Sequence, residues 1–121
     1  METGRLVSAI FIAFCSLGAN ASPLSSQSDE QLFKSFALSS CIATYYKGSD
    51  VANDALTAMQ GYREFSNLSL DAFFEVSEVL RSENMAVYKS KDGRAIELAY
   101  CIDFSQSAEV HALYIKAKSD L

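Results

Sequence analysis

Apolar side chains recur at helical spacing along most of the chain, and one stretch differs from the rest. The segment SFALSSCIATYY at 35–46 carries no charged residue, and its large apolar side chains surround the helix instead of forming one stripe. A helix without a polar face is typical of the centre of a domain. We therefore predict that the other helices pack on this one and that Cys41 lies in the core.

The boundaries of this first helix are predicted from its capping residues. Ser28 and Gln31 have the spacing of a capping box, in which each side chain bonds the backbone N–H of the other. Lys47 and Gly48 supply a favourable cation and a left-handed residue at the other end. The pattern predicts a helix from 28 to 46, preceded by a loosely ordered polar leader at 22–27.

Two amphipathic helices are predicted next. Ser49 with Asp50 opens the second helix, and Ser69 with Asp71 opens the third. The apolar stripe of the second helix comprises Ala52, Ala55, Leu56, Met59 and Tyr62. The corresponding face of the third comprises Leu70, Phe73, Val76, Ser77 and Leu80. Both stripes have the period of a helix that lies on a core with one face in water.

The helical period breaks at 83–93, where alternating apolar residues and the turn signal at 91–93 predict a short extended segment and a projecting loop. A fourth helix is predicted at 94–104, with Leu98 and Ile102 on the side of Cys101. Ser107 caps a fifth helix, whose stripe is Val110, Leu113, Tyr114 and Ala117. The predicted fold class is all-α, a compact five-helix domain at 28–121.

The first 21 residues have the organisation of a secretory signal peptide. Arg5 precedes an uncharged run at 6–19, and Ala19-Asn20-Ala21 is an A-x-A cleavage site. The uncharged run is shorter than the ~20 residues of a membrane span, and no later stretch reaches that length. We therefore expect an exported, soluble mature chain that begins at Ser22.

Export determines the state of the cysteines. Cleavage of the signal peptide removes Cys15 and leaves Cys41 and Cys101, both in apolar helical surroundings, in an oxidising compartment. We predict a disulfide bond between them. In the chain-entropy model, a bridge that closes so long a loop stabilises the fold by about 4 kcal/mol.

Charge and residue types exclude several functions. The chain has a net charge of -5 and no basic cluster, which disfavours nucleic acid and anionic membranes as partners. His111 is the only histidine, so the sequence contains neither a zinc-ligand pattern nor a convincing cysteine–histidine pair. We predict a chain that is not an enzyme and that needs no metal or other cofactor.

Three local patterns point to one bacterial family. They are Cys41-Ile42 within a neutral helix, Tyr88-x-Ser90 before a glycine turn, and Cys101-Ile102-Asp103-Phe104 followed by Ser107-x-x-Val110. Together they resemble the immunity proteins that protect bacteria against type VI secretion amidase effectors, most closely those paired with the fourth amidase family. The similarity spans 29–116, and the second cysteine motif is its most specific part.

The resemblance implies a periplasmic, all-helical protein with its two cysteines bridged, commonly a homodimer. Such a protein binds a cysteine–histidine peptidoglycan amidase and blocks its cleft with a protruding loop. We assign that role to the loop residues Tyr88, Lys89, Ser90, Lys91 and Asp92, although the match itself covers only Tyr88, Ser90 and Gly93. A plain solvated connector is the competing interpretation of this loop.

Two alternatives remain open at this point. Glu75 and Glu78, one helical turn apart, form an alternative effector-binding face, although paired acids on a helix are more often a hydrated surface. A secreted helical domain that binds a small ligand between its helices is the alternative function. Its pocket would use aromatic residues such as Tyr45 and Tyr62, although their helical spacing favours core packing.

Overall fold

The computed structural model describes residues 23–82 and 87–121. It contains a 3₁₀ turn at Leu24–Ser26 and the helices α1 (Asp29–Tyr45), α2 (Asp50–Phe65), α3 (Leu70–Ser82), α4 (Glu97–Ser105) and α5 (Ala108–Ser119). Within these ranges there is no strand, and one isolated antiparallel bridge joins Lys89 to Ala95. The all-α prediction is confirmed.

Two predicted segments fall outside the described residues. They are the signal peptide at 1–21, with the first leader residue after it, and the beginning of the extended segment at 83–86. Across the parts of the chain that the structure does describe, no helix combines the length and the apolar character that a membrane span requires.

Helix α1 is the centre of the fold, as its uncharged sequence predicts. It begins with the predicted capping box: the Gln31 N–H donates to the Ser28 hydroxyl, and the Ser28 N–H donates to the Gln31 side chain, each over 3.1 Å. The helix contacts α2, α3, α4 and α5. Cys41 is fully buried on it, which confirms its predicted place in the core.

The core between α1 and its neighbours is built from aromatic rings. The ring of Phe73 from α3 lies 4.8 Å from that of Phe36 and 5.6 Å from that of Phe33, measured between centroids. Tyr114 from α5 packs 6.2 Å from Phe33 on another side. Because these rings come from α1, α3 and α5, their contacts determine how those helices lie on one another.

A polar clamp holds the connection between α2 and α3 against the start of α1. The Asp29 carboxylate accepts hydrogen bonds from the Asn67 N–H at 2.9 Å and from the Ser66 hydroxyl at 3.2 Å. A carboxylate in the first turn of a helix also interacts favourably with the helix dipole. Asp29 therefore stabilises its own helix and fixes the turn from which α3 begins.

Several boundary and burial predictions are wrong in detail. Leu56 and Leu70, placed in apolar stripes by their spacing, are more than half exposed. Periodicity predicts which side of a helix faces the core, but not how much of that side the rest of the fold covers. Helix α4 begins at Glu97 instead of Arg94, since the residues before it form the return of a hairpin.

The burial of α4 also differs from the prediction. Leu98 and Ile102 are 50% and 42% exposed, although their spacing placed them beside Cys101 in the core. The buried residues are instead Tyr100, Cys101, Phe104 and Ser105. This set lies on the face of α4 that packs against α1.

Neighbouring phenylalanines on α3 offer a test of the core. Phe73→Ala should lower the free energy of unfolding by about 3–5 kcal/mol, because it empties the space between Phe33 and Phe36. Phe74→Ala, at a side chain that is 57% exposed, should cost about 1 kcal/mol or less. Urea unfolding measures both values. Equal losses for the two variants would contradict the described packing of α3.

Candidate functional site

The predicted loop is an ordered hairpin, which spans 88–96. The Ile96 N–H donates to the Tyr88 carbonyl at 3.0 Å, and the Ser90 N–H donates to the Arg94 carbonyl at 2.8 Å. At the tip, the Gly93 N–H donates to the Ser90 carbonyl at 2.9 Å, and Gly93 has a φ of +87°. Glycine adopts this left-handed backbone without steric cost. Backbone hydrogen bonds therefore give this surface loop a defined shape.

Side chains at the tip of the hairpin reinforce that shape. The Asp92 carboxylate accepts a hydrogen bond from the Ser90 hydroxyl and another from Arg94 Nε at 3.1 Å. The hydrogen bond from Ser90 is the main reason that the pKa of Asp92 lies below its ordinary value. Lys89 and Lys91 are exposed beside this network. The hairpin thus presents two cations on a pre-ordered backbone.

Tyr88 occupies a different place from the other candidate residues. Its side chain is half-buried, and its ring packs edge-on against Tyr100 at 5.1 Å. Tyr100 is only 2% exposed, and its ring also contacts that of Tyr45 on α1 at 5.4 Å. Tyr88 therefore anchors the base of the hairpin to the core. Sequence reasoning missed Tyr100, whose only signal is its place directly before Cys101.

The disulfide bond is adjacent to Tyr100 in the chain, since Tyr100 directly precedes Cys101. Cys41 on α1 and Cys101 on α4 are bonded, with Cα atoms 5.4 Å apart, and both are fully buried. The predicted bridge is confirmed. Bonded sulfur atoms cannot act as nucleophiles or as thiolate ligands. His111 is exposed on α5, where its Nδ1 lies 3.7 Å from the Glu30 carboxylate.

The alternative acidic pair does not act as one unit. The Glu75 carboxylate accepts a hydrogen bond from Lys116 Nζ at 3.0 Å, which raises the pKa of Lys116. Glu78 instead pairs with Arg81 on its own helix. Because each carboxylate has its own cationic partner, the geometry does not favour shared acid–base chemistry. A role of Glu75 and Glu78 in binding stays a prediction.

Surface notches lie near both candidate sites. One of about 170 Å³ is lined by Tyr88, Tyr100, Asp103, Phe104, Ser107 and Glu109. Another of about 210 Å³ lies beside Glu75 and Lys116. Both are open to solvent and lined largely by polar groups, whereas a small-ligand site is mostly apolar and encloses its ligand. Neither of these two notches has the character of a small-ligand site.

The sequence matches a family model over residues 31–114, and the family is Tai4, described as type VI secretion system (T6SS) amidase immunity protein. The chain belongs to the Tai4 family. Family membership confirms the resemblance that the cysteine motifs indicate. It also agrees with the prediction that the chain is an inhibitor and not an enzyme. No curated protein matches the sequence significantly.

Solved structures of Tai4 complexes share this fold. The structure of the Tae4/Tai4 effector–immunity system from Salmonella typhimurium, a selenomethionine variant, matches with 28% identity and a TM-score of 0.68, covering 78% of this chain and 95% of that one. The complex of Tae4 from Salmonella typhimurium with Tai4 from Enterobacter cloacae matches with 21% identity and a TM-score of 0.67. The match covers 77% of this chain and 96% of that one. The Tae4–Tai4 complex from Enterobacter cloacae matches with 21% identity and a TM-score of 0.67. The match covers 77% of this chain and 95% of that one.

The carboxylate of Asp92 makes the hairpin tip sensitive to acid. The pKa of Asp92 is lower in the folded chain than its ordinary value of 3.8. The contribution of the Asp92 carboxylate to the order of the tip is therefore complete above pH 3.8. This contribution is lost as the pH falls through the lower, folded pKa. Amide exchange at Gly93 should therefore accelerate below pH 3.8, beyond the intrinsic change. Asp92→Asn should abolish this acid-dependent acceleration. The same dependence of exchange on pH in the variant and the wild type would contradict the hydrogen bonds described at the tip.

Proposed function

We propose that the chain is a periplasmic immunity protein that binds a type VI secreted peptidoglycan amidase of the cysteine–histidine class and occludes its active site. The family match over residues 31–114 is the observation that carries this proposal. The solved structure that matches with 28% identity is of an effector–immunity system, which supports an amidase as the partner. The signal-peptide pattern at 1–21 and the buried disulfide support an oxidising compartment.

The proposed contact surface is the outer part of the hairpin, Lys89, Ser90, Lys91 and Asp92, with Tyr88 at its base. A loop that is already ordered loses little conformational entropy when it binds. Within 23–82 and 87–121, Lys89 and Lys91 form no ion pair, so both can meet acidic groups around a substrate cleft. Charge at an interface gives orientation and association rate more than affinity.

We also propose that the protein forms a homodimer, as the family resemblance implies. Leu98 and Ile102 leave an apolar strip on α4, and Leu70 and Phe74 leave another on α3. Each pair is one helical turn apart, so its side chains share one face. Exposed apolar strips of this kind are typical of surfaces that another protein covers.

Two glycines provide a matched test of the hairpin. Gly93 at the tip and Gly48 between α1 and α2 have φ values of +87° and +86°, and an added Cβ meets nothing within 4 Å at either site. Substitution by alanine should therefore introduce the same backbone strain at both positions. This strain should lower the free energy of unfolding by about 1–2 kcal/mol. We expect relief of this strain at Gly93 to shift Lys91 and Asp92, which lie in the same turn.

Titration calorimetry with the cognate amidase should show binding at least tenfold weaker for Gly93→Ala and unchanged for Gly48→Ala. Thermal unfolding should show similar losses of stability for both variants. Unchanged affinity in Gly93→Ala would contradict a role of the tip. Tyr88→Ala is a less informative variant, because the loss of its contact with Tyr100 changes stability and binding together.

Charge-changing variants distinguish binding by the hairpin from binding by the acidic face of α3, which comprises Glu75 and Glu78. Lys91→Glu should slow association with the amidase at low salt and weaken binding by about tenfold, or about 1.4 kcal/mol. Lys118→Glu, at the exposed end of α5, should leave binding unchanged. Association rates from surface plasmon resonance measure the effect. A loss caused by Glu78→Gln and not by Lys91→Glu would assign binding to the alternative face.

A further inference from the structure

The hairpin and α4 form one continuous unit. The return of the hairpin ends at Ile96, whose N–H donates to the Tyr88 carbonyl, and the same residue is the N-cap of α4. Any movement of α4 therefore carries the base of the hairpin with it. The position of the proposed contact residues depends on what holds α4 in place.

Neither part of this unit is strong on its own. Helix α4 has nine residues, and Ile96 supplies no side-chain cap. Helices shorter than ~12 residues are marginal in water, and a lone two-stranded hairpin is also marginal. Leu98 and Ile102 are exposed, so α4 buries only one side. The unit needs an anchor outside itself.

The anchor lies on α1. Helix α4 packs chiefly on α1, and the Cys41–Cys101 bond joins the two helices covalently. Tyr100, directly before Cys101, inserts its ring between Tyr45 of α1 and Tyr88 of the hairpin. One short segment of α4 thus carries both the covalent link and the ring that supports the hairpin.

The other helices have attachments that do not involve this bond. The rings of Phe33, Phe36 and Phe73 join α1 to α3, and Tyr114 joins α5 to the same cluster. Asp29 holds the turn between α2 and α3. Loss of the bridge should therefore affect the hairpin and α4 first.

We propose that the Cys41–Cys101 bridge makes presentation of the hairpin dependent on oxidation, so that only the disulfide form holds the hairpin in its binding position. The two thiols lose two protons and two electrons as the S–S bond forms. A disulfide oxidant of the exporting compartment accepts them and becomes a dithiol. The part of this inference that concerns amidase binding rests on the proposed function.

Because the disulfide bond is buried, the cysteines are oxidised once, and the folded protein does not switch reversibly between the thiol and disulfide forms. Thiol–disulfide exchange requires that a thiolate reach a sulfur atom. Both cysteines are fully buried in the folded chain. The bond therefore forms before or during packing of α4 and afterwards resists thiol reductants. A chain that folds in a reducing compartment has the helical core but lacks the positioned hairpin.

Native-state amide exchange tests the structural part without any effector. The double variant Cys41→Ala/Cys101→Ala should exchange the amides of Ser90, Gly93 and Ile96 at least tenfold faster than the wild type. Amides of α2 and α3 should accelerate only as far as the general loss of global stability requires. Val76→Ala, which removes buried volume from α3, is the matched control and should not accelerate the hairpin selectively. Uniform acceleration, no acceleration, or loss of the helical signal would overturn the proposal.

Affinity for the cognate amidase tests the functional part. The double cysteine variant should bind at least tenfold more weakly than the wild type, whereas Val76→Ala should bind like the wild type. Equal binding by the cysteine variant would overturn the inference. If the wild type itself does not bind, the proposed function fails, while selective exchange at the hairpin still supports structural control by the disulfide.

Discussion

The extensive burial of α1, whose buried residues include Phe33, Phe36 and Cys41, is the constraint on which the rest of the structure depends. Over 35–46 the helix carries no charge, so it has no face that water can solvate well. The surrounding helices cover it, and each is positioned by its contact with it. The charged residues of α1, Asp29, Glu30 and Lys34, lie near its N-terminus. There Asp29 binds the turn that leads into α3.

Interactions between near neighbours in sequence were the predictable part of the fold. The hydroxyls of Ser28, Ser49 and Ser107 cap α1, α2 and α5, as their sequence positions indicate. A cap depends on groups within one turn, so its residue types are informative by themselves. The exposure of Leu56 and Leu70 was not predictable in the same way. It depends on how much of each helix the rest of the fold covers, and periodicity carries no information about that.

The candidate site also has features that the sequence predicts and features that it does not. The turn signal at 91–93 located the exposed tip, and cysteine parity after signal cleavage predicted the bridge between Cys41 and Cys101. The inward orientation of Tyr88 was not predictable, since its ring packs on Tyr100. The position of Tyr100 depends in turn on Tyr45 of α1. That cluster joins residues far apart in sequence, and helical periodicity carries no information about such contacts.

The structure separates the support of the hairpin from its proposed contacts. Tyr88 and Tyr100 support the base, the backbone and Asp92 shape the tip, and the lysines supply charge toward a partner. A polar tip on a buried aromatic base combines pre-ordering with an exposed surface, and pre-ordering lowers the entropic cost of association. Lys89 and Lys91 make the tip locally cationic, although the chain as a whole is acidic.

A crystal structure of the chain bound to its cognate amidase tests the central claim most directly. The account predicts that Lys89, Ser90, Lys91 and Asp92 lie at or within the catalytic cleft. It also predicts that the Tyr88–Tyr100 contact persists unchanged from the free chain. A complex in which the cleft is left open, or is covered by the face of Glu75 and Glu78 while the hairpin stays in solvent, would contradict it.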